Sequence, residues 1–350
     1  MSGVYDIVAL GRVGVDLYSL DYGVPFSEIK RFAKYVGGTS ANVMVGASRL
    51  GLRCALVSRV SQDVLGDYVI GFLRSEGVET RYVRQEKEGK TGIVFAEIYP
   101  GKDSMFIFYR ENVADLHIKR SDVDRRMIEE TRSVIVTGTG LSREPSYGTT
   151  LYAARLGRRL GKAVVFNLDW RPSLWRASRA VRTSRYRSVL AESSVVIGNE
   201  GEYLAATGAE GLEEAVGSIP GHEGKVLVVT HGGEGVTVID GGAGGGGKRT
   251  EVPGIPVSVV KGLGGGDGFL SGFMFGYLKG WDPAVAARLG NAVGAMVVTG
   301  HACSESMPRP AELEKFLKER GLSFDLGPRE AAGGRGQTDK SRTPAPRAAQ

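Results

Sequence analysis

Cysteine is the scarcest residue of this chain, with only Cys54 and Cys303 among 350 residues. Two cysteines exclude a disulfide-stapled scaffold and a cysteine-rich zinc site. The sequence also contains no apolar run of membrane-spanning length, and its first residues, Met-Ser-Gly-Val-Tyr-Asp-Ile, lack the basic and apolar regions of a signal peptide. We therefore expect a cytoplasmic protein that has no membrane partner.

A concentrated basic surface is absent as well. The net charge is +6, but half of it comes from residues 327–350, which carry five basic and two acidic side chains. This segment is rich in Gly, Pro, Ala and Arg and has no apolar periodicity, so we expect a disordered tail after a domain that spans residues 1–326. The remaining charge is spread over that domain and predicts no nucleic-acid partner.

The familiar glycine-rich nucleotide loops are missing too. No Gly-x-Gly-x-x-Gly run follows a predicted strand, which disfavours a dinucleotide-binding domain. Residues 242–248 have the spacing of a P-loop, but Arg249 stands where Ser or Thr would bind magnesium. The following residues 250–256 contain two prolines and cannot form the required helix. We therefore interpret residues 241–248 as the flexible tip of a hairpin.

Most of the chain alternates between short apolar runs and segments of helical period. Strands are predicted at residues 5–11, 54–58, 133–137, 163–166, 194–197 and 226–230, and helices at 41–50, 64–75, 145–159, 183–191 and from Glu200. This order predicts an α/β fold with a mostly parallel sheet and helices on both faces. Residues 78–109 interrupt the rhythm with alternating runs around a turn at 100–103, which is typical of a hairpin.

The run from Lys261 to Phe273, Lys-Gly-Leu-Gly-Gly-Gly-Asp-Gly-Phe-Leu-Ser-Gly-Phe, carries the strongest chemical signal. Its glycines leave a bare backbone at the start of an apolar helix, where N–H groups and the positive dipole end bind anions such as phosphate. A carboxylate would repel a bound phosphate, so the role that fits Asp267 is to accept a proton from an attacking hydroxyl. The alternative role for Asp267 is a helix N-cap.

Four shorter clusters lie at predicted strand ends and helix starts. Gly11-Arg-Val-Gly-Val-Asp16 places a carboxylate where substrate hydroxyls could donate to it. Gly37-Gly-Thr-Ser-Ala-Asn42 leads a glycine turn into a helix, either as a ligand site or as an ordinary helix start. Asn199-Glu-Gly-Glu202 presents oxygen ligands suited to magnesium, although acids at a helix start also complement its dipole. Thr230-His-Gly-Gly-Glu-Gly235 ends a strand with a turn suited to phosphates or a ribose.

In this order the clusters resemble the PfkB family of carbohydrate kinases, which has the ribokinase-like fold. The family signatures match Gly37, Gly38, Asn42, Gly46, Leu50, Gly51, Val60-Ser-Gln-Asp-Val-Leu-Gly66, Gly264-Gly-Gly-Asp267 and Ser271-Gly272. The resemblance extends over residues 4–320. Gly262 departs from the Thr, Ser, Pro or Ala that the family usually has, and Gly265 stands where Ala is common. Both residues are smaller than usual, which predicts an intact anion site with a looser turn.

The resemblance implies a three-layer α/β/α domain with a small β lid, formed by about residues 12–36 and 80–115. It implies transfer of the ATP γ-phosphoryl group to a sugar hydroxyl, with Asp267 as general base and the N–H groups of Gly264, Gly265 and Gly266 as donors to the moving phosphoryl group. The remaining site residues are Asp16, Gly38 and Asn42 at the sugar, Thr230, Gly232 and Gly235 at the nucleotide, Asn291 near the adenine, and Asn199 with Glu202 at magnesium, directly or through water. A K+ requirement stays open, and lids of this kind often form a homodimer interface.

Three arginines narrow the class of sugar. The positions of Arg12, Arg110 and Arg171 are predicted to reach the substrate. Several guanidinium groups could bind a substrate carboxylate through paired hydrogen bonds, whereas a neutral sugar would not need them. The alternative for each arginine is a structural ion pair. We therefore expect a sugar acid as the substrate.

The surrounding motifs agree with an acid. The runs at residues 11–18, 109–115 and 137–142 resemble the 5-dehydro-2-deoxygluconokinases of inositol breakdown, whereas Arg171-Pro-Ser-Leu-Trp175 is shared with the 2-keto-3-deoxygluconate kinases. Both groups phosphorylate the C6 hydroxyl of a keto-deoxy sugar acid, and the first is favoured. A sensor that keeps the fold without catalysis is the hypothesis from another class, and the complete set around Asp267 argues against it.

Overall fold

The computed structural model describes residues 4–101, 104–241 and 247–326. The strands are β1 (Tyr5–Leu10), β2 (Gly14–Ser19), β3 (Phe32–Gly37), β4 (Cys54–Ser61), β5 (Val83–Glu86), β6 (Gly92–Glu97), β7 (Met105–Tyr109), β8 (Thr131–Thr137), β9 (Ala163–Asn167), β10 (Val195–Asn199), β11 (Val226–Thr230), β12 (Gly235–Asp240) and β13 (Lys248–Pro253). The α-helices are α1 (Thr39–Arg49), α2 (Val64–Ser75), α3 (Arg125–Glu129), α4 (Ser146–Arg159), α5 (Arg179–Leu190), α6 (Glu200–Thr207), α7 (Leu212–Ser218), α8 (Gly265–Leu278), α9 (Pro283–Val298) and α10 (Pro310–Glu319).

The main sheet has the strand order β13-β12-β11-β10-β9-β8-β1-β4-β5. Its last two strands in the chain, β12 and β13, pair antiparallel with their neighbours, and the other neighbouring strands are parallel. Parallel neighbours need crossover connections, and helices supply most of them. The mostly parallel α/β sheet predicted from the sequence is confirmed.

Strand β1 shows how this sheet divides the core. Ile7 belongs to a buried cluster that includes Phe273 of α8, whereas the next residue, Val8, belongs to a second cluster that includes Ala153 of α4. Successive side chains of a strand point to opposite faces, so a strand of continuous apolar residues needs cover on both sides. The helices provide that cover, and the predicted three-layer α/β/α arrangement is confirmed.

A separate four-stranded sheet, in the order β3-β2-β6-β7, is built from both segments that the sequence predicted for the lid. One part of the predicted segment 80–115 lies elsewhere, because β5 pairs in parallel with β4 at the edge of the main sheet. Its first residue, Val83, is buried in the same cluster as Val69 and Leu73 of α2, which explains why this stretch remains with the main sheet. The small sheet therefore receives its second pair of strands only from Gly92 onward.

Strands β12 and β13 form an antiparallel pair, and β13 follows the glycine-rich run at the place where a P-loop would require a helix. Residues 242–246 of that predicted hairpin tip, residues 102–103 of the predicted lid turn and the predicted tail 327–350 lie outside the described residues. Within the described ranges, no helix combines the length and the apolar character that crossing a bilayer requires.

Candidate active site

A cavity of about 700 Å³ lies beyond the carboxyl ends of the parallel strands. Arg12, Asp169, Asn199 and Thr230 line it from the ends of β1, β9, β10 and β11 or just after them, and Phe108 lines it from the small sheet. Ligands of open α/β sheets bind at this edge, because the strand ends and the loops after them converge there. The fold therefore brings together side chains that are far apart in the sequence.

Asp267 enters this cavity from the first turn of α8. The helix begins after Gly264, which serves as N-cap with a φ of +74°, so Asp267 is the third helical residue and does not cap the helix. Its side chain is half-buried, and its Oδ2 accepts a hydrogen bond from Nδ2 of Asn42 at 2.8 Å. Asn42 lies in the first turn of α1, so two helix starts meet at this carboxylate.

Burial raises the pKa of Asp267 to about 6. The hydrogen bond from Asn42 and the charges of Arg171 and Arg12 oppose this shift, whereas the neighbouring carboxylate of Asp169 adds to it. A carboxyl group with a pKa close to neutrality is a stronger base than an ordinary aspartate and is still ionised at pH 7. The environment of Asp267 therefore suits proton abstraction.

Asp169 lies between two of the predicted substrate arginines. Its Oδ1 lies 3.2 Å from Nε of Arg171, and its Oδ2 lies 4.0 Å from a terminal nitrogen of Arg12 and accepts from Oγ1 of Thr139 at 3.1 Å. Burial opposes ionisation of Asp169, but the two guanidinium groups hold its pKa below the ordinary value. Both arginines line the cavity, and Nε of Arg12 is buried without a partner in the described residues.

The third predicted arginine has a different place. Arg110 forms an ion pair with Asp115 at 2.5 Å, and both side chains are at most 5% exposed. Arg110 is not among the residues that line the cavity. Burial lowers the pKa of Arg12, and the nearby positive charges of Arg110 and Arg171 lower it further. The structural ion pair, which the sequence left open as the alternative, is the arrangement that the structure has at this position.

Asp16, Gly38 and Asn42 line the larger cavity together. Burial raises the pKa of Asp16, whose Oδ2 accepts a hydrogen bond from Tyr18 at 2.7 Å. Gly38 precedes α1 with a φ of +101°, and a Cβ there would lie 2.6 Å from the carbonyl oxygen of Arg12, so only glycine fits. Oδ1 of Asn42 is buried without a partner in the described residues and could accept a ligand hydroxyl.

Asn199 and Glu202 form a reciprocal capping box at the start of α6. The backbone N–H of Asn199 donates to Oε2 of Glu202 at 2.9 Å, and the backbone N–H of Glu202 donates to Oδ1 of Asn199 at 2.9 Å. The N–H of Trp170 donates to the other carboxylate oxygen at 3.1 Å. Burial, together with Asp169, nevertheless raises the pKa of Glu202 to about 7. The pair therefore has a structural role and also contains a carboxylate whose charge is poorly compensated.

A second cavity of about 340 Å³ adjoins the first and shares Gly266 with it. Thr230, Gly232, Gly235 and Asn291, all predicted for the nucleotide, line this smaller cavity. The remaining lining is largely apolar and includes Ile255, Val257, Phe269, Ala295 and Val298. An apolar slot with a few polar groups suits a nucleobase. The first turn of α8 is thus the boundary between a cavity that contains charged side chains and a largely apolar one.

The chain matches one family model over most of its length, that of the pfkB family carbohydrate kinases, at residues 5–310. The protein belongs to the PfkB family. A 5-dehydro-2-deoxygluconokinase of Clostridium perfringens is 33% identical over 320 residues, which are 90% of this chain and 93% of the relative. An uncharacterized sugar kinase of Pyrococcus horikoshii, solved in complex with ATP, is 28% identical with a TM-score of 0.76 over 90% of this chain and 99% of that one. A fructokinase of Xylella fastidiosa with bound ATP shares the fold at 24% identity and a TM-score of 0.78, over 90% of this chain and 99% of that one.

Membership of the PfkB family makes this protein a carbohydrate kinase, a phosphotransferase that acts on an alcohol group. A carbohydrate kinase must bring a sugar and a nucleotide together, and in this chain two adjoining cavities share Gly266 of α8. The ribokinase-like fold expected from the motifs is confirmed.

Two residues of this candidate site, Asp169 and Lys261, had no predicted role. Asp169 follows the end of β9 and has a φ of +35°, and an acid directly after a buried strand is the same signal that singled out Asp16. Lys261 is fully buried beside the glycine turn. Its position as the first residue of the most informative run could have drawn attention to it, but burial of a lysine has no signature in a single sequence.

Proposed function

We propose that this PfkB kinase transfers the γ-phosphoryl group of ATP to the C6 hydroxyl of 5-dehydro-2-deoxy-D-gluconate, a reaction of inositol breakdown. The observation that carries the proposal is the position of Asp267, a half-buried carboxylate at the helix start that the two cavities share. The name of the Clostridium perfringens relative supports the sugar acid. Phosphorylation of 2-keto-3-deoxygluconate at the same carbon is the alternative.

In the proposed reaction, Asp267 accepts the proton of the C6 hydroxyl while the hydroxyl oxygen attacks the γ-phosphorus of ATP. The new P–O bond forms as the bond from the γ-phosphorus to the bridging oxygen breaks, and ADP leaves with that oxygen and its electron pair. The first N–H groups of a helix have no partner within it, so those of Gly264, Gly265 and Gly266 can donate to the phosphoryl oxygens. Asn42 orients the base through its hydrogen bond to Oδ2.

Magnesium fits the proposed site through water and phosphate oxygens rather than through a protein cage. The described residues contain no cluster of three or more potential metal-ligating His, Cys, Asp or Glu side chains. Glu202 is the group that a nearby cation would favour, because burial raises its pKa to about 7 and each of its oxygens keeps a free lone pair. Magnesium usually retains several waters and binds through one or two carboxylates and substrate phosphates. It would supply charge neutralisation at the phosphates, with Asn199 and Glu202 holding its waters.

The nucleotide would occupy the smaller cavity, with Thr230, Gly232 and Gly235 along its phosphates or ribose and Asn291 near the adenine. Gly235 has a φ of +116°, and a Cβ there would lie 2.1 Å from the carbonyl oxygen of Val252, so the turn before β12 requires glycine. The amide of Asn291 donates to the carbonyl oxygen of Pro253 at 3.0 Å, which fixes the side chain at the cavity wall.

Arg12 and Arg171 support an acid as the sugar. Arg171 is 45% exposed and pairs with Asp169 through its Nε. Arg12 is 10% exposed, donates to Oγ1 of Thr39 at 3.1 Å and lies 4.0 Å from Asp169. A guanidinium group offers five donors, so a substrate carboxylate could bind to the remaining ones. Asp169 compensates part of their positive charge, and the charge that remains favours an acid over a neutral sugar.

The first test is an ADP-release assay with three sugars: 5-dehydro-2-deoxygluconate, 2-keto-3-deoxygluconate and a neutral ketohexose. The proposal expects the highest kcat/KM for the first of them, with the phosphate on C6 of the product by NMR. A higher kcat/KM for 2-keto-3-deoxygluconate would establish the alternative, and preference for the neutral sugar would exclude a sugar acid. Binding of ATP and sugar without ADP release would indicate a sensor.

Substitution of Arg171 tests the carboxylate contact directly. Arg171→Ala should lower kcat/KM for the acid by about 10–100-fold, the worth of a lost hydrogen-bonded charge contact, and change kcat/KM for the neutral sugar much less. Arg176→Ala is the matched control, because Arg176 lies on the same loop, is 83% exposed and should affect neither substrate.

Substitution of Arg110 should not distinguish between the acid and the neutral sugar. Arg110→Ala leaves Asp115 buried without its partner, so it should lower thermal stability and affect both sugars equally. If Arg171→Ala also lowered kcat/KM equally for the acid and the neutral sugar, Arg171 would be a structural ion pair and the carboxylate contact would be wrong.

We propose in addition that the small sheet forms a homodimer interface. Its strands and their connections expose large apolar side chains, at 42% for Leu20, 46% for Tyr22, 60% for Met105 and 63% for Tyr109. Apolar patches of this kind are typical of protein interfaces. Sedimentation velocity should give a dimer for the unchanged chain and a monomer for Tyr109→Glu, and a monomer for both would contradict the interface.

A further inference from the structure

Lys261, which opens the glycine turn, is fully buried. Its backbone N–H donates to the carbonyl oxygen of Val298 at 3.2 Å, at the end of α9. Its side chain folds back beneath the turn, where Nζ donates to the carbonyl oxygen of Leu263 at 2.7 Å and lies 3.8 Å from Sγ of Cys303. Lys261 thus connects the turn before α8 with the segment that follows α9.

Both polar partners of this ammonium are neutral. Leu263 offers a carbonyl oxygen, and burial raises the pKa of Cys303 to about 11, so its thiol carries no charge at pH 7. Burial also raises the pKa of Asp16, although Lys261 is one of the cations that oppose this shift. A buried charge without a charged partner is costly, so an anion elsewhere in the functioning site is needed to offset it.

The hydrogen bond to Leu263 has a consequence for the next peptide group. The carbonyl group of Leu263 and the N–H of Gly264 belong to one peptide unit, which is planar and trans, so they point in opposite directions. Because the carbonyl oxygen is held against Lys261, the N–H of Gly264 faces away from it. Gly264 lines the larger cavity beside Asp267, where that N–H is available to a phosphoryl oxygen.

We propose that Lys261 is a positioning residue for phosphoryl transfer, a built-in cation that fixes the glycine turn and makes turnover independent of added monovalent cations. Its ammonium acts through the turn and through its charge, without touching the substrate. A bound K+ coordinated by carbonyl oxygens is the other way to place one positive charge at such a turn. Lys261 already supplies that charge from within the chain. This inference rests on the kinase reaction proposed above.

Two variants separate the charge of Lys261 from its volume. Lys261→Met keeps an unbranched apolar stem and removes the charge, and Lys261→Ala also vacates the space of the ammonium. Lys225→Met is the matched control, because Lys225 is 9% exposed and its Nζ likewise donates to a backbone carbonyl group, that of Ser193. Lys225 and Ser193 both lie at the amino ends of the parallel strands, away from the cavities. All four proteins are assayed in tetramethylammonium chloride and in KCl or NH4Cl of equal ionic strength.

The unchanged chain and Lys225→Met should have the same kcat in every salt. Lys261→Met should lose about 10²-fold in kcat, the typical effect of losing one electrostatic contribution to a transition state, with a smaller change in KM for the sugar. Lys261→Ala should lose a similar amount in tetramethylammonium chloride and recover at least part of it in K+ or NH4+. If Lys261 had only a structural role, its substitution would lower stability, and the added cation would not restore kcat.

A strict K+ requirement of the unchanged chain would overturn the proposal without any variant, and so would a fully active Lys261→Met. If both Lys261 variants failed to fold, the proposal would still be tested by the unchanged chain, whose kcat must be the same in all the salts. Calorimetric titration with a non-hydrolysable ATP analogue in the same salts should show weaker binding to Lys261→Ala that K+ restores, and no salt-specific recovery would contradict the proposal. That titration needs no sugar, so a wrong substrate assignment and a wrong role for Lys261 can be told apart.

Discussion

Asp267→Asn is expected to lower kcat by about 10²–10⁴-fold, the contribution that a positioned general base makes to proton transfer. The amide keeps the shape of the carboxylate and can still accept the hydrogen bond from Asn42, but it cannot take the proton of the sugar hydroxyl. Nucleotide affinity should change little, because Asp267 lies at the end of the nucleotide cavity and does not line it. Steady-state kinetics and calorimetric titration with an ATP analogue would measure both quantities.

The same substitution should leave the thermal midpoint unchanged or raise it. Burial raises the pKa of Asp267 to about 6, so the folded state disfavours the ionised carboxylate that Asn removes. The pH profile has a definite sign, since kcat/KM of the unchanged enzyme should rise as the pH increases through about 6 and the base of the free enzyme loses its proton. Asp282→Asn is the matched control, because Asp282 is a helix N-cap that accepts from the N–H of Ala284, and Asn also caps. Near-normal activity of Asp267→Asn would show that another group is the base.

The fold was predictable because its signals are local. A buried strand of continuous apolar residues such as β1 indicates a sheet that is covered on both faces, and a glycine turn before an apolar helix indicates the start of α8. The small sheet was harder to delimit, since β5 is a run of four residues with a single apolar one and lies inside the segment predicted for the lid. The parallel pairing of β5 with β4 and the burial of Val83 in the same cluster as α2 assign β5 to the main sheet.

The contacts of the candidate site were less predictable, because each side chain has several possible partners, even among residues close to it in the sequence. Asn199 and Glu202 were expected at magnesium, and their spacing is equally that of the capping box that they form. Arg110 was expected at the substrate and pairs with Asp115. Residue type and spacing predict what a side chain can do, whereas competition between neighbouring partners decides which option the folded chain adopts.

Gly264→Ala is expected to lower kcat by about 10²–10³-fold, as the loss of an oxyanion-hole donor does. Gly264 has a φ of +74°, and a Cβ there would lie 2.7 Å from Sγ and 3.0 Å from Cβ of Cys303, so the turn must shift to accept a methyl group. A shift moves the first N–H groups of α8 away from the phosphoryl oxygens. The left-handed backbone should in addition cost about 1–2 kcal/mol of stability, which thermal unfolding would detect.

Gly262, two residues earlier in the same turn, provides the comparison. A Cβ at Gly262 would meet no atom within 4 Å, and its φ is not in the left-handed region. Gly262→Ala should therefore keep kcat unchanged. It should raise the free energy of unfolding by about 0.4–1 kcal/mol, because alanine restricts the conformations of the unfolded chain. The two variants also test the prediction of a looser turn. Gly262 stands where the family usually has a larger residue, whereas Gly264 matches the family signature. Equal activity of the two variants would mean that the exact path of the backbone at Gly264 is unimportant for catalysis, and the anion site would then have to lie elsewhere.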